Sequence, residues 1–222
     1  MVGMMRHALS RSATIKVSIC VPCRDQLHSA FAFDLAKLVQ HCAGIGLDVV
    51  PHFSLGTLIV NQRDQLAEMA LDAGSTHILW LDSDMMFPAD TIQQLLAHDL
   101  SVVAGNYVTR QYPHKTVAYE KLHDWTSYVV NDADLGTDLI EVEAVGMGCM
   151  LVTTDLVRSM RKPRFQVVWQ EAYQDHMGED FFFCLRAREL GHQVWIDNSL
   201  SRQLSHLGTF AFTHNLVKSG LL

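Results

Sequence analysis

HILWLDSDMMFPAD, residues 77–90, is the stretch on which the fold turns. Its first five residues run without polar alternation, as expected of a central parallel strand covered on both faces. The chain passes straight from them into Asp82-Ser83-Asp84. In an open α/β sheet, ligands bind beyond the carboxyl ends of the strands, so two carboxylates here mark a candidate site. Acids at i and i+2 leaving a strand can aim at one point. Held that close, they repel and their pKa values rise unless a cation lies between them. Mg²⁺ or Mn²⁺ suits such a place, because either takes oxygen ligands and keeps positions for water and phosphate. Asp-Ser-Asp is also ordinary turn chemistry. Its position after a buried strand favours the metal reading.

Outward from this segment the pattern alternates. Residues 16–21 form a β-branched run closed by Pro22, which predicts a first strand. A helix is expected over 29–42, with Ala32, Leu35, Leu38, Val39 and Cys42 at helical spacing and Gly44 and Gly46 ending it. Residues 47–53 read as a strand, and 61–73 as a helix with Gly74 where a C′ glycine belongs. Pro88 and Asp90 open a helix through Ala97, and 100–104 return to a strand. The fold class is therefore α/β, an open, mostly parallel sheet flanked by helices. The second half predicts a small antiparallel addition from 116–119, 127–130 and 139–142. Gly146-Met147-Gly148-Cys149 reads as a tight bend leading into a strand over 150–152. A short helix capped by Thr154 or Asp155, a strong helix over 179–190 ended by Gly191, and a strand over 193–196 follow. No linker is visible. Residues 1–14 read as a flexible extension and 15–222 as one domain, with a nucleotide-binding half (15–105) and an acceptor and catalytic half (106–222).

Composition narrows the function classes. Hydrophobic residues make up 49% and charged residues 18%, which permits a substantial core and argues against disorder. A net charge of -7 disfavours non-specific binding to nucleic acid or anionic lipid. No apolar run approaches the ~18–20 residues of a membrane span, and MVGMMRHALSRSA lacks the apolar region of a secretory signal. The five cysteines, Cys20, Cys23, Cys42, Cys149 and Cys184, lie in apolar segments, as reduced thiols of a cytoplasmic protein would. Cys20 and Cys23 form a C-x-x-C without a second metal-binding pair and read as structural.

Two further features carry chemistry. Glu179 and Asp180 begin a helix, where acids are favoured by the dipole, but one of them could face the cleft as a general base. Asp180 is the first candidate and Glu179 the second. His206 is one of 12 histidines, and its neutral imidazole would suit Mn²⁺. On residue chemistry alone it reads first as an ordinary structural or exposed histidine.

Taken together, the chain resembles the GT-A glycosyltransferases, particularly the family 2-like enzymes and their relatives with a metal-binding histidine. The resemblance rests on VSICVPCRD (17–25), NQRDQLAEMA (61–70), residues 77–90, VGMGCML (145–151), GEDFFFCLRARELGHQVWI (178–196) and His206, in the family's order. It implies transfer of a sugar from a nucleotide-diphosphate sugar, a UDP-sugar by preference, to a hydroxyl, with Mn²⁺ or Mg²⁺ as cofactor. Pro22, Arg24 and Asp25 would then grip base and ribose, and Arg63 would face the diphosphate or base. Asp82, with Ser83 beside it, would meet the ribose or the metal and its water. Asp84 and His206 would be the direct metal ligands. Asp180 matches the base of inverting members. The turn containing Gly148 matches one lining donor sugar and acceptor. Arg202 is a further candidate donor to the leaving group.

The chain departs from the family in its first loop, Pro-Cys-Arg-Asp-Gln where an Asn-Glu pair is common, and in Arg63-Asp64 where Arg-Asn is frequent. Acceptors consistent with this reading are a glycan, a metabolite, a protein or a modified DNA base. A haloacid-dehalogenase phosphohydrolase would carry its Asp-x-Asp after the first strand. A sugar nucleotidyltransferase would need a glycine-rich basic loop where CRDQLHS stands. A non-catalytic nucleotide-sugar-binding module is the rival from a different class.

Overall fold

The computed structural model describes residues 14–110, 113–122, 126–127, 139–208 and 211–219. The extension expected over 1–14 falls, except for Thr14, outside the described residues, as does the predicted strand segment 128–130. In the first half the order is β1 (Lys16–Cys23), α1 (Ser29–Gly44), β2 (Asp48–Leu55), α2 (Ile59–Asp72), β3 (His77–Leu81), β4 (Met85–Met86), α3 (Thr91–Leu96) and β5 (Val102–Ala104). Then come β6 (Ala118–Lys121), β7 (Thr126–Ser127), β8 (Leu139–Val142), β9 (Ala144–Val145), β10 (Cys149–Thr153) and α4 (Thr154–Ser159). The chain continues through β11 (Val168–Gln170), β12 (Asp175–Met177), α5 (Glu179–Glu189), β13 (Val194–Asp197), α6 (Asn198–Ser201), β14 (Ser205–Leu207), β15 (Ala211–Phe212) and α7 (His214–Ser219).

A seven-stranded sheet in the order β2-β1-β3-β10-β5-β13-β8 forms the centre. β1 pairs in parallel with β2 and β3, and β13 in parallel with β5. β10 runs antiparallel to both its neighbours, and β8 antiparallel to β13. The α/β class with a mostly parallel sheet is as the sequence predicts. HILWL is covered on both faces because its side chains serve two cores. Leu79 and Leu81 join Phe31, Leu38, Ile92 and Leu95 from α1 and α3. Ile78 and Trp80 join Leu66, Ala70, Phe183 and Ala187 from α2 and α5. The strand is parallel on one side only, however. Burial on both faces sets its apolar run, and the direction of its β10 neighbour leaves no mark on it.

Other differences have local causes. β1 continues through Pro22, where the sequence predicts its end. Pairing with β3 stops at Cys20, so at Pro22 only β2 lies alongside, and proline is accepted at such a free edge. Residues 150–152, expected as a strand beyond the bend, become the middle of the whole sheet. The cap of α4 is Thr153 rather than Thr154 or Asp155. Thr154 Oγ1 instead donates to the carbonyls of Ser75 and Thr76, at 2.8 and 3.1 Å, tying α4 to the approach of β3. Gly74 and Gly191 end α2 and α5 with positive φ, as anticipated. All five cysteines are free and buried, and Cys20 and Cys23 donate to different carbonyls, those of Leu66 and Ser54. Among the described residues no helix is long and apolar enough to cross a membrane.

Leu151 lies at the centre of β10, 1% exposed, paired between Leu79 and Val103. Leu151→Ala is expected to cost about 3 kcal/mol of unfolding free energy by urea titration. A loss below about 1 kcal/mol would contradict a central β10.

Candidate functional site

The carboxyl ends of β1, β3 and β5 open on one side of the sheet, and a cavity of ≈ 280 Å³ lies there. Pro22 enters from β1, Ile59 and Arg63 from α2, and Asp82-Ser83-Asp84 from the end of β3. Arg110 follows β5, Glu179 and Asp180 begin α5, and His206 arrives on β14. Backbone pairing delivers the histidine: β14 runs antiparallel to β4 with His206 opposite Met85, and Leu207 N–H donates to the Asp84 carbonyl at 2.7 Å.

His206 Nε2 lies 3.4 Å from Asp84 Oδ1. Its Nδ1 is 2.9 Å from the Val108 carbonyl oxygen, which can only accept, so Nδ1 carries the proton. In the neutral ring Nε2 therefore turns a lone pair toward a carboxylate oxygen. That contact is favourable only with a proton or a cation between the two. An oxygen and a nitrogen donor opening into a cavity fit a divalent ion such as Mn²⁺, with water or phosphate completing its shell. Among the described residues no cluster of three or more His, Cys, Asp or Glu forms a metal cage. Asp84 Oδ2 is engaged by Arg110 Nη1 at 2.8 Å. Burial works to raise the Asp84 carboxyl, but the hydrogen bond and charge of His206 and the charge of Arg110 outweigh it and hold the pKa below the ordinary value.

Asp82 stands apart from that pair. Its Oδ1 accepts from Arg63 Nη2 at 3.1 Å, and Arg63 Nε donates to Glu179 Oε1 at 3.0 Å. Arg63 is 2% exposed and packs over the Trp80 ring, 5.6 Å from its centroid. Burial opposes its charge, but Asp82 and Glu179 more than offset this and raise its pKa further. Its Nη1 is buried without a hydrogen-bond partner among the described residues. Asp82 is raised by burial against the lowering charge of Arg63, with Asp84 and Glu179 adding to the rise.

The two acids at the start of α5 divide their roles. Glu179 is the ion-pair partner of Arg63. Among the described residues Asp180 accepts only a backbone hydrogen bond, from Phe181 N–H at 2.8 Å, and it lines the cavity. Burial first, and then the charge of Glu179, push its pKa up to about 7. Gly178 makes room for it, since a Cβ there would lie 2.6 Å from Asp180 Oδ1.

The remaining candidates are placed differently. Gly148 does not line the cavity. A Cβ on it would lie 2.7 Å from Tyr107 Cζ, and its N–H donates to the Tyr107 hydroxyl at 3.1 Å. Its carbonyl accepts from Asp82 N–H at 3.0 Å, so the bend braces the acidic triplet from behind. Arg24, Asp25 and Arg202 are exposed and outside the cavity lining. Sequence reasoning missed Arg110, whose sole signal is a cation shortly after the end of β5. It also missed Tyr107, which sets its ring edge against His206 with centroids 5.3 Å apart. No local pattern marks Tyr107, because both its partners come from distant segments.

The sequence matches no protein-family model and no curated protein. Among solved structures the chain is similar to A197 from STIV, at 14% identity and a TM-score of 0.58, over 87% of this chain and 86% of that one. That likeness extends to the fold. A glycosyltransferase involved in the glycosylation of the major capsid of PBCV-1 matches at 14% identity and TM-score 0.37, over 64% and 62% of the two chains. S. aureus TarS 1-349 matches at 13% identity and TM-score 0.44, over 82% of this chain and 57% of that one. Scores this low carry no weight for the site.

An acid whose pKa is raised by folding keeps its proton where the unfolded chain has lost it. Stability therefore declines as pH climbs from about 4, the unfolded value of Asp, to about 7 in the folded state. Asp180→Asn is expected to flatten that decline in urea midpoints measured across this window. An unchanged slope would contradict a raised Asp180.

Proposed function

We propose that the chain is a metal-dependent glycosyltransferase of the GT-A type, a single domain that takes a nucleotide-diphosphate sugar, by preference a UDP-sugar. The observation that carries this reading is the convergence of Asp84 Oδ1 and His206 Nε2 at 3.4 Å on one cavity. Charge supports it. Four carboxylates, Asp82, Asp84, Glu179 and Asp180, face two guanidiniums, Arg63 and Arg110. A diphosphate would be repelled by that excess of negative charge, which one divalent cation would neutralise.

Asp84 and His206 would hold the ion, with Asp82 close behind in the same triplet. A divalent ion there supplies Lewis-acid charge for a departing diphosphate. Arg63 directs a fixed positive charge to the cavity, anchored by carboxylates on both sides. Pro22 and Ile59 offer apolar wall toward the base, while the exposed Arg24 and Asp25 beyond Pro22 would meet its polar edge. Asp180 has the affinity to exchange a proton near neutral pH. It would take the proton from an acceptor hydroxyl in an inverting displacement.

Asp84→Ala is expected to abolish the Mn²⁺ dependence of UDP binding while leaving the thermal melting cooperative. Equal UDP affinity with and without Mn²⁺ in the parent protein would remove the metal from the account. Asp180→Asn should lower turnover by about 10²–10⁴-fold with donor affinity nearly unchanged. In the parent, turnover should rise with pH through about 7. Near-normal turnover in the variant would dismiss Asp180 as the base.

A further inference from the structure

The two arginines of the cavity are held in opposite ways. Arg63 is 3% exposed in its side chain and clamped between two carboxylates. Arg110 is 45% exposed; its Nη1 meets Asp84 Oδ2 at 2.8 Å and donates to the Leu207 carbonyl at 3.2 Å, with Asp84 its one carboxylate among the described residues. Its backbone neighbour Thr109 is fixed, N–H to the Lys115 carbonyl at 2.7 Å and Oγ1 to Lys115 N–H at 3.2 Å. The side chain can therefore turn without disturbing the backbone beneath it.

We infer that Arg110 is a stand-in cation for the metal position: it neutralises Asp84 until the donor arrives, then moves to the donor's diphosphate. The inference rests on the metal-dependent reading above and adds an order of events to it. A guanidinium at 2.8 Å from Asp84 Oδ2 and a divalent ion on the same carboxylate repel each other strongly, so the two compete. The ion pair is partly solvated, and such pairs are weak enough to exchange. Phosphate oxygens offer the guanidinium a better partner, because they accept a paired, charge-assisted set of hydrogen bonds. Diphosphate binding draws Arg110 off Asp84 and frees Oδ2. By linkage the metal then binds tighter when the diphosphate is present, and the diphosphate tighter when the metal is. Asp82 cannot act as the stand-in's partner, since Arg63 already holds it. The ion is thus retained with the donor and surrendered with the nucleoside diphosphate.

The test is a pair of titrations by calorimetry, with Mn²⁺ EPR as a second readout. Mn²⁺ alone and UDP at saturating Mn²⁺ are each titrated into the parent, R110A, R110Q and D84N. R110A and R110Q are expected to bind Mn²⁺ alone about fivefold tighter, the worth of an exposed ion pair. They should also bind UDP with Mn²⁺ about tenfold weaker or more, from the lost charge-assisted bonds. D84N should lose Mn²⁺ in both settings. Removing a static ion pair would also unmask negative charge and repel UDP, but only by a screened effect of about twofold, so the signature is the full tenfold loss of UDP beside the gain in Mn²⁺. A UDP loss no larger than that static effect overturns the inference and leaves the metal site standing. Absence of Mn²⁺ binding in the parent, with or without UDP, overturns both together.

Discussion

The buried guanidinium of Arg63 is the contact on which the site's geometry depends. It joins Asp82, at the end of β3, to Glu179, at the start of α5, and so locks the acidic triplet to the helix that bears Asp180. A buried charge demands its partners: taking one away leaves an uncompensated ion and costs about 3–5 kcal/mol. The guanidinium is committed to Asp82 and Glu179, and at Asp180 its lowering charge is outweighed by burial and the charge of Glu179. The neighbouring anion and the surrounding protein then set its proton affinity.

The pair Asp84 and His206 is positioned by backbone rather than by side-chain choice. Leu207 N–H on the Asp84 carbonyl and His206 Nδ1–H on the Val108 carbonyl define where the imidazole stands and which nitrogen it presents. Tyr107 supports the ring edge-on, and occupies room that side chains on Gly146 and Gly148 would take. One aromatic residue thus connects the glycine bend to the histidine. The same bend holds Asp82 N–H through the Gly148 carbonyl. Such outer support fixes the orientation of the side chains it holds.

Four features were legible in the residues for physical reasons. HILWL carries its burial on both faces in its own composition. The helices α1, α2 and α5 show apolar spacing and glycine ends. The acidic triplet sits where strand ends always lie in this architecture, and the Glu-Asp start of α5 is a local pair. The α/β class and half of the residues lining the cavity, Asp82, Ser83, Asp84, Glu179 and Asp180, follow from these. The division of labour within the pair did not, since Glu179 and Asp180 differ only in whether Arg63, more than a hundred positions away, reaches them.

The amino-acid sequence by itself determined the main helices and the strands of the central sheet, their order, and which segment would present carboxylates at the sheet's edge, but not the short strands β4, β11, β12, β14 and β15 or the helices α6 and α7. Periodicity and strand-end position are local properties, written in neighbouring residues. Only the tertiary structure decided that β10 enters between β3 and β5, that Gly148 serves Tyr107 rather than a ligand, and that Arg110 lies on Asp84. These outcomes depend on contacts between residues far apart in the chain, where packing and charge compensation act through space. No local pattern records such contacts.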